Sequence, residues 1–517
     1  MTTPRRLTFK IRLRYTGLTL FSSRTYSLIT GLLFSLIIVR KIGVADYGLW
    51  CFALLLISYF FLPSKLISYW LTRFVARGVD ASGTGVIACL LLGLVSFFLF
   101  IAVSLVVTTF IGIDLMYFLL ISPQVFLMYV VAPLQSVAEG ARPHVIGYGS
   151  AVFETSKVAL CLVLVLLLNM GLQGAILSVV LAHATWASAL LIMLHDILHF
   201  SFDFKLLKHW FRLSWLIMYR ESVGFVYELR GLILTIITVS TKPLAFLTAP
   251  TIITQAIADI RLLSFGLYPK LLSGYHDRRD VEVMLSFVLM FAVPAVVGVL
   301  ILAKPLLYLL RPEYGVLTGV LILLAFRSFS KAIGDIPAFI LRGLEDIDAV
   351  IDRKIPFKRY LSSKHFLLPS LALIRNVANV AIITALAIYA MNIRMPLELM
   401  IFYYVLLELL FIALPYDTFI WLLAWKEYPF RFPIRDLVNY LIASAIMATV
   451  LLSLQPIPLS PSTSIYALAP SLIKRVFLGC LVYFIVLLTL SKELRSLAKL
   501  YVWCSLASFM TRLKALR

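Results

Sequence analysis

The sequence predicts an all-α polytopic membrane protein with about 14 transmembrane helices, from its composition, the segmentation of its apolar residues and the placement of its charges. Of 517 residues, 62% are hydrophobic and only 14% charged, and the mean hydropathy is +0.99. Soluble chains are roughly 45–50% apolar and about 25% charged. So much apolar surface is stable only where lipid replaces water around it. The net charge of +21 sits in short Lys/Arg clusters between apolar runs, with no hydrophilic domain to form a nucleic-acid face. That pattern is the positive-inside bias of membrane proteins.

Each span needs about 20 residues. The runs fall near 24–40, 46–65, 84–109, 115–138, 143–168, 173–194, 214–240, 243–266, 283–303, 315–340, 368–391, 397–420, 437–455 and 470–491. Turn chemistry separates them: Asn169-Met170-Gly171, Thr241-Lys242-Pro243, and the proline-rich stretch Gln455 to Pro461. With the N-terminus placed in the cytoplasm, alternate connections carry most of the Lys and Arg. This supports an even number of spans with both termini cytoplasmic; the location expected is the plasma membrane. Lys474 and Arg475 break the pattern, lying toward the outer end of the last span, from which they would snorkel outward. The five cysteines form no CxxC pair and read as apolar packing.

The chain is expected to divide into a six-helix bundle over 1–200, a second over 201–425, and two further helices with a basic tail over 426–517. The two bundles are expected to surround a central cavity. A possible repeat pairs Leu62-Pro63-Ser64-Lys65 with Leu267-Tyr268-Pro269-Lys270, each read as a cytoplasmic exit.

Three stretches resemble a known family. Val39-Arg40-Lys41-Ile42-Gly43-Val44-Ala45-Asp46-Tyr47-Gly48 is similar to an R-x-hydrophobic-G-x-x-x-Y-G turn. Glu139-Gly140-Ala141-Arg142-Pro143 is similar to that family's turn into the fifth span, and Leu172-Gln173-Gly174-Ala175 to its turn into the sixth. On these residues the chain resembles the polysaccharide-export flippases of the multidrug/oligosaccharidyl-lipid/polysaccharide (MOP) superfamily. The resemblance implies translocation of a polyprenyl- or dolichyl-(di)phosphate-linked oligosaccharide by alternating access. It implies membrane lipids and the lipid-linked glycan as partners, glycan-assembly enzymes as candidate partners, and a monomer.

Ionisable residues within spans are functional candidates because insertion costs roughly 2.5–3.5 kcal/mol each unless they are paired or hydrated. Arg24 opens span one, either as an interfacial anchor or as a phosphate contact. Glu154 and Lys157, three apart, share a face of span five and are able to neutralise each other. Span seven carries Arg220, Glu221, Glu228 and Arg230, with the two acids on one face. Arg261 on span eight and the stripe of Arg327, Lys331 and Asp335 on span ten complete the set. Arg375, Glu408 and Asp417 rank behind them. Arginine suits an anionic head group because its planar fork binds phosphate through two donors.

No Walker A sequence is present, so direct ATP hydrolysis is not expected, and energy would come from a coupling ion, H+ or Na+, or from consumption of product; no other cofactor is expected. Two other functions fit the same architecture. One is an ion-coupled multidrug-type exporter. The other is a membrane glycan polymerase or ligase, which would need a large outer loop that the short connections do not provide.

Overall fold

In the computed structural model, the described residues are 13–199, 201–265, 267–272, 277–344, 363–460 and 465–491. The basic N-terminal stretch, most of the long connection over 341–368 and the tail from residue 492 lie outside them. All the predicted spans are helices: α1 (Leu13–Lys41), α2 (Val44–Ala76), α3 (Ser82–Ile111), α4 (Leu115–Ala141), α5 (His144–Leu167) and α6 (Gly171–Leu194). After a short α7 (Phe204–Leu213) come α8 (Trp215–Thr238) and α9 (Lys242–Ser264). A short α10 (Leu267–Leu272) leads to α11 (Arg278–Leu310), α12 (Pro312–Gly343), α13 (Lys364–Asn392), α14 (Leu397–Glu427), α15 (Ile434–Ser453) and α16 (Ile465–Leu490).

Thirteen of these helices are long and apolar enough to cross a membrane. The remaining predicted span, α8, is a continuous helix of 24 residues. It differs in the charges of Arg220, Glu221, Glu228 and Arg230, not in length. The protein is a multi-pass membrane protein.

Helix α1 begins at Leu13, and its membrane-length apolar span is Ser22–Lys41, so Arg24 stands near the start of that span as the sequence predicts. One sequence expectation is corrected. The Pro63-Ser64-Lys65 stretch does not end its helix, since α2 runs through Pro63 to Ala76 over 33 residues. Pro269 instead lies in the separate helix α10, so the two stretches do not fall at equivalent places. A proline removes one hydrogen bond without ending a helix that its neighbours hold.

The chain divides into two compact units: 1–249 with 372–401, and 250–371 with 402–517. In the first, Tyr129 is fully buried. Its hydroxyl donates to the Phe60 carbonyl at 2.7 Å and accepts from Ser96 at 2.9 Å. Tyr129 belongs to one buried apolar cluster with Leu71, Val75, Cys89, Val137 and Leu190. Helix α2 lies along α8 and the start of α9. Thr241 donates to the Ala45 carbonyl at 3.0 Å, Tyr59 meets Phe225 edge-on, and Trp70 Nε1 donates to Ser214 at 3.1 Å. Gly48, in the family-like turn, is where the backbones meet. A Cβ there would stand 2.1 Å from the Thr241 carbonyl oxygen.

In the second unit, α15 and α16 pack on α11 through Leu285, Val288, Leu289, Tyr440, Ala443 and Tyr483. Pro294 lacks an N–H, which leaves the Met290 carbonyl one turn earlier without its helical donor. The buried Tyr483 hydroxyl of α16 supplies that donor at 2.7 Å. The same substitution occurs on α4, where Pro123 frees the Leu119 carbonyl and Ser122 donates to it at 2.9 Å.

Tyr483→Phe is expected to cost about 1–3 kcal/mol, the penalty for a buried unsatisfied carbonyl. Adding Pro294→Ala, which restores the N–H, should recover most of that loss in thermal melts of the purified protein. Equal losses in both backgrounds would disprove the link. In the same melts Gly48→Ala should destabilise by about 1–3 kcal/mol. Gly31→Ala, with nothing within 4 Å of its Cβ, should be neutral or stabilising.

Candidate functional site

Most of the candidate charges within spans fall into three groups. The first group lies between α1 and α5. Glu154 and Lys157 are buried, at 8% and 9% exposure. Lys157 Nζ donates to Glu154 Oε1 at 2.9 Å, and Thr30 of α1 donates to Oε2 at 2.7 Å. The ammonium also stands 5.1 Å from the ring centre of Phe34 and 5.0 Å from that of Phe153. Two carboxylate oxygens and two ring faces thus answer one ammonium, while the Thr30 hydroxyl donates to the carboxylate. Below the pair, α5 ends in a π-helical stretch, Leu162–Leu167, a local irregularity that often accompanies function.

The second group joins α2 to α8. Glu221 accepts from Lys65 at 2.9 Å and from Arg220 at 3.2 Å. Lys65 and Arg220 are half-exposed or more, while Glu221 is largely covered. Glu228, two turns further along the same face, is partly buried and its charge reaches Tyr59 of α2. Arg230 places its guanidinium 3.8 Å from the ring centre of Tyr227.

The third group lies in the second unit. Arg327 Nε donates to Glu408 Oε1 at 2.8 Å, and Glu408 is 4% exposed. Glu408 opens the π-helical stretch Glu408–Ala413 of α14. Ser330 donates to Asp417, and Arg261 donates to Asp335 at 3.2 Å. The stripe read from the sequence on α12 is therefore a ladder whose rungs are acids on α14 and a cation on α9. Lys331 stands among Arg261, Arg327, Asp335 and Asp259. It is exposed and has no ion pair among the described residues. Arg24 is likewise exposed and without an ion pair among the described residues.

The structure thus brings Arg261, Arg327 and Lys331 together, joins Arg220 to Glu221 and Glu154 to Lys157, and leaves Arg24 apart. Sequence reasoning ranked Glu408 and Asp417 too low and did not single out Thr30, Lys65 or Ser330. Glu408 and Arg327 are 81 positions apart, a pairing that no local spacing reveals.

No family model matches the sequence, and no curated protein matches it. Among solved structures, the chain is similar to the lipid II flippase MurJ in an inward-closed conformation. The TM-score is 0.61 at 13% identity, covering 92% of this chain and 99% of that one. The fold is that of the MOP transporters. A second similar structure is an inward-facing multidrug resistance MATE family transporter of the MOP superfamily. Its TM-score is 0.55 at 13% identity, covering 78% of this chain and 96% of that one.

Removing one member of a buried ion pair strands the other and costs about 3–5 kcal/mol, whereas an apolar replacement of both is near neutral. Glu154→Leu alone should therefore lower the melting temperature sharply, and Glu154→Leu with Lys157→Met should restore most of it. If the double variant melts as low as the single, the pair does not act as a mutual neutraliser.

Proposed function

We propose that this protein is a flippase that translocates a polyprenyl- or dolichyl-phosphate- or diphosphate-linked oligosaccharide from the cytoplasmic to the outer face by alternating access. The observation that carries the reading is the imbalance of charges within spans. Arg327, Arg261 and Lys157 have acids beside them, while Arg24 and Lys331 are exposed cations without an ion pair among the described residues. A cation held at span depth needs water or an anion. A lipid phosphate meets that need, and sugar hydroxyls tolerate the same hydrated surroundings.

The absence of a Walker A sequence leaves an ion gradient, H+ or Na+, or consumption of product on the far side as the energy source. The multidrug-transporter similarity supports a second reading, an ion-coupled small-molecule exporter of the same fold. That reading calls for an unmatched acid in the transport path; Glu154 and Glu408 are matched by cations, whereas Glu228 has no ion pair among the described residues.

Purified protein reconstituted in vesicles with a fluorescent polyprenyl-phosphate glycan should deplete the label from one leaflet. Protein-free vesicles should not. A charged hydrogen bond is worth about 1.5–3 kcal/mol, so Arg24→Ala or Lys331→Ala should slow the initial rate about tenfold or more. No protein-dependent movement of the label would refute the flippase reading. Movement at the wild-type rate in both variants would remove these two cations as head-group contacts.

A further inference from the structure

Lys474 and Arg475 are the two cations that contradict the charge bias of the loops, and none of the groups above accounts for them. Helix α16 begins at Ile465, so they sit about 13 Å inside it at 1.5 Å per residue. Among the described residues, no carboxylate pairs with either. Two unmatched cations at that depth are costly unless an anion or water reaches them.

The structure supplies a cavity at this place. A volume of about 450 Å³ opens between the end of α15 and the start of α16, lined by Gln455, Pro456, Pro458, Lys474, Arg475 and Leu478 among others. This is the size of an ordinary small-molecule site. Its wall is built rather than incidental. Ile457 and Leu459 pack on Leu302, Leu468 and Leu472, which holds the intervening prolines against the opening. Arg475 donates to the Gln455 carbonyl, which fixes one edge of its guanidinium and leaves other donors available. Lys474 is exposed beside it. Ile473 and Phe477, each 68% exposed, flank Lys474 on the same helix.

We propose that this cavity binds the phosphate of an anionic membrane lipid in the leaflet at that end of α15 and α16. The phosphate would sit between Lys474 and Arg475, with the acyl chains along Ile473 and Phe477. A guanidinium and an ammonium side by side match the oxygens of a phosphodiester. The apolar flank argues for a lipid over a free anion. The site is separate from the flippase reading, and a lipid bound here need not be the cargo.

The test is native mass spectrometry of the full chain released from nanodiscs of phosphatidylcholine with a minor share of phosphatidylglycerol. The wild type should retain phosphatidylglycerol at a level at least about fivefold above Lys474→Gln/Arg475→Gln. Lys474→Arg/Arg475→Lys, which keeps both charges, should stay within twofold of the wild type, and Leu478→Trp, which fills the cavity with the charges intact, should lose the lipid. Equal retention by the wild type and the double Gln variant would overturn the proposal. Loss of the lipid on adding millimolar inorganic phosphate at constant ionic strength would also overturn it, by showing a site for a free anion. Should the double Gln variant fail to fold, the Leu478→Trp result decides: retention at the wild-type level overturns the cavity assignment.

Discussion

A charge within a bilayer has to be met by an opposite charge, a ring face or water, and most of the distinctive architecture of this protein follows from that requirement. Lipid supplies none of the three, so each ionisable side chain in a span constrains which helix stands next to it. Lys157 and Glu154 fix α5 against α1 through Thr30. Arg327 and Glu408 fix α12 against α14, and Arg261 with Asp335 ties α9 to the same ladder. These contacts specify neighbours in a medium where apolar side chains discriminate poorly, because lipid tails are as apolar as leucine.

Backbone groups obey the same constraint. At Pro294 and Pro123 the freed carbonyl finds a substitute donor, and at Pro294 that donor comes from another helix and so becomes a tether. Tyr483 is both a buried aromatic of the α11–α16 packing and the hydrogen-bond partner of a carbonyl that Pro294 leaves open. A break in the helical hydrogen-bond ladder and a helix–helix joint thereby fall at one position. The Tyr129 hydroxyl donates to the Phe60 carbonyl of α2 as an added tether between α4 and α2, not as a replacement for a donor lost to Pro63.

The spans were legible in the sequence because apolar runs of membrane length and their Asn, Gly and Pro breaks are local signals. The turn at Asn169 and Gly171 shows this, since both take positive φ there, as their residue types favour. Helix ends were less legible. Beyond the apolar run, Lys65 to Ala76 is held in α2 by contacts with α7 and α8, which composition does not encode. The Glu154–Lys157 pair was visible from its spacing of three, whereas Arg327–Glu408 joins two distant segments and only the fold reveals it. Helix α7 was missed as a separate element because its ten residues carry too many cations to register as apolar. Its face of Leu206, Leu207 and Trp210 is nevertheless packed into the first unit.

Helix α2 is about 50 Å long at 1.5 Å per residue, while the hydrocarbon core is about 30 Å thick. The excess is not idle. Lys65, Trp70 and Phe74 touch Glu221, Ser214 and Trp210 in turn, along the elbow between α7 and α8. Gly48 holds the opposite end against Thr241, and Pro63 lies between the two sets of contacts. The helix therefore has the build of a pushrod with a flexure in its shaft. A bend at the proline would be delivered as a displacement of the α7–α8 elbow, so that what happens at membrane depth is felt at the membrane surface without any loop having to carry it.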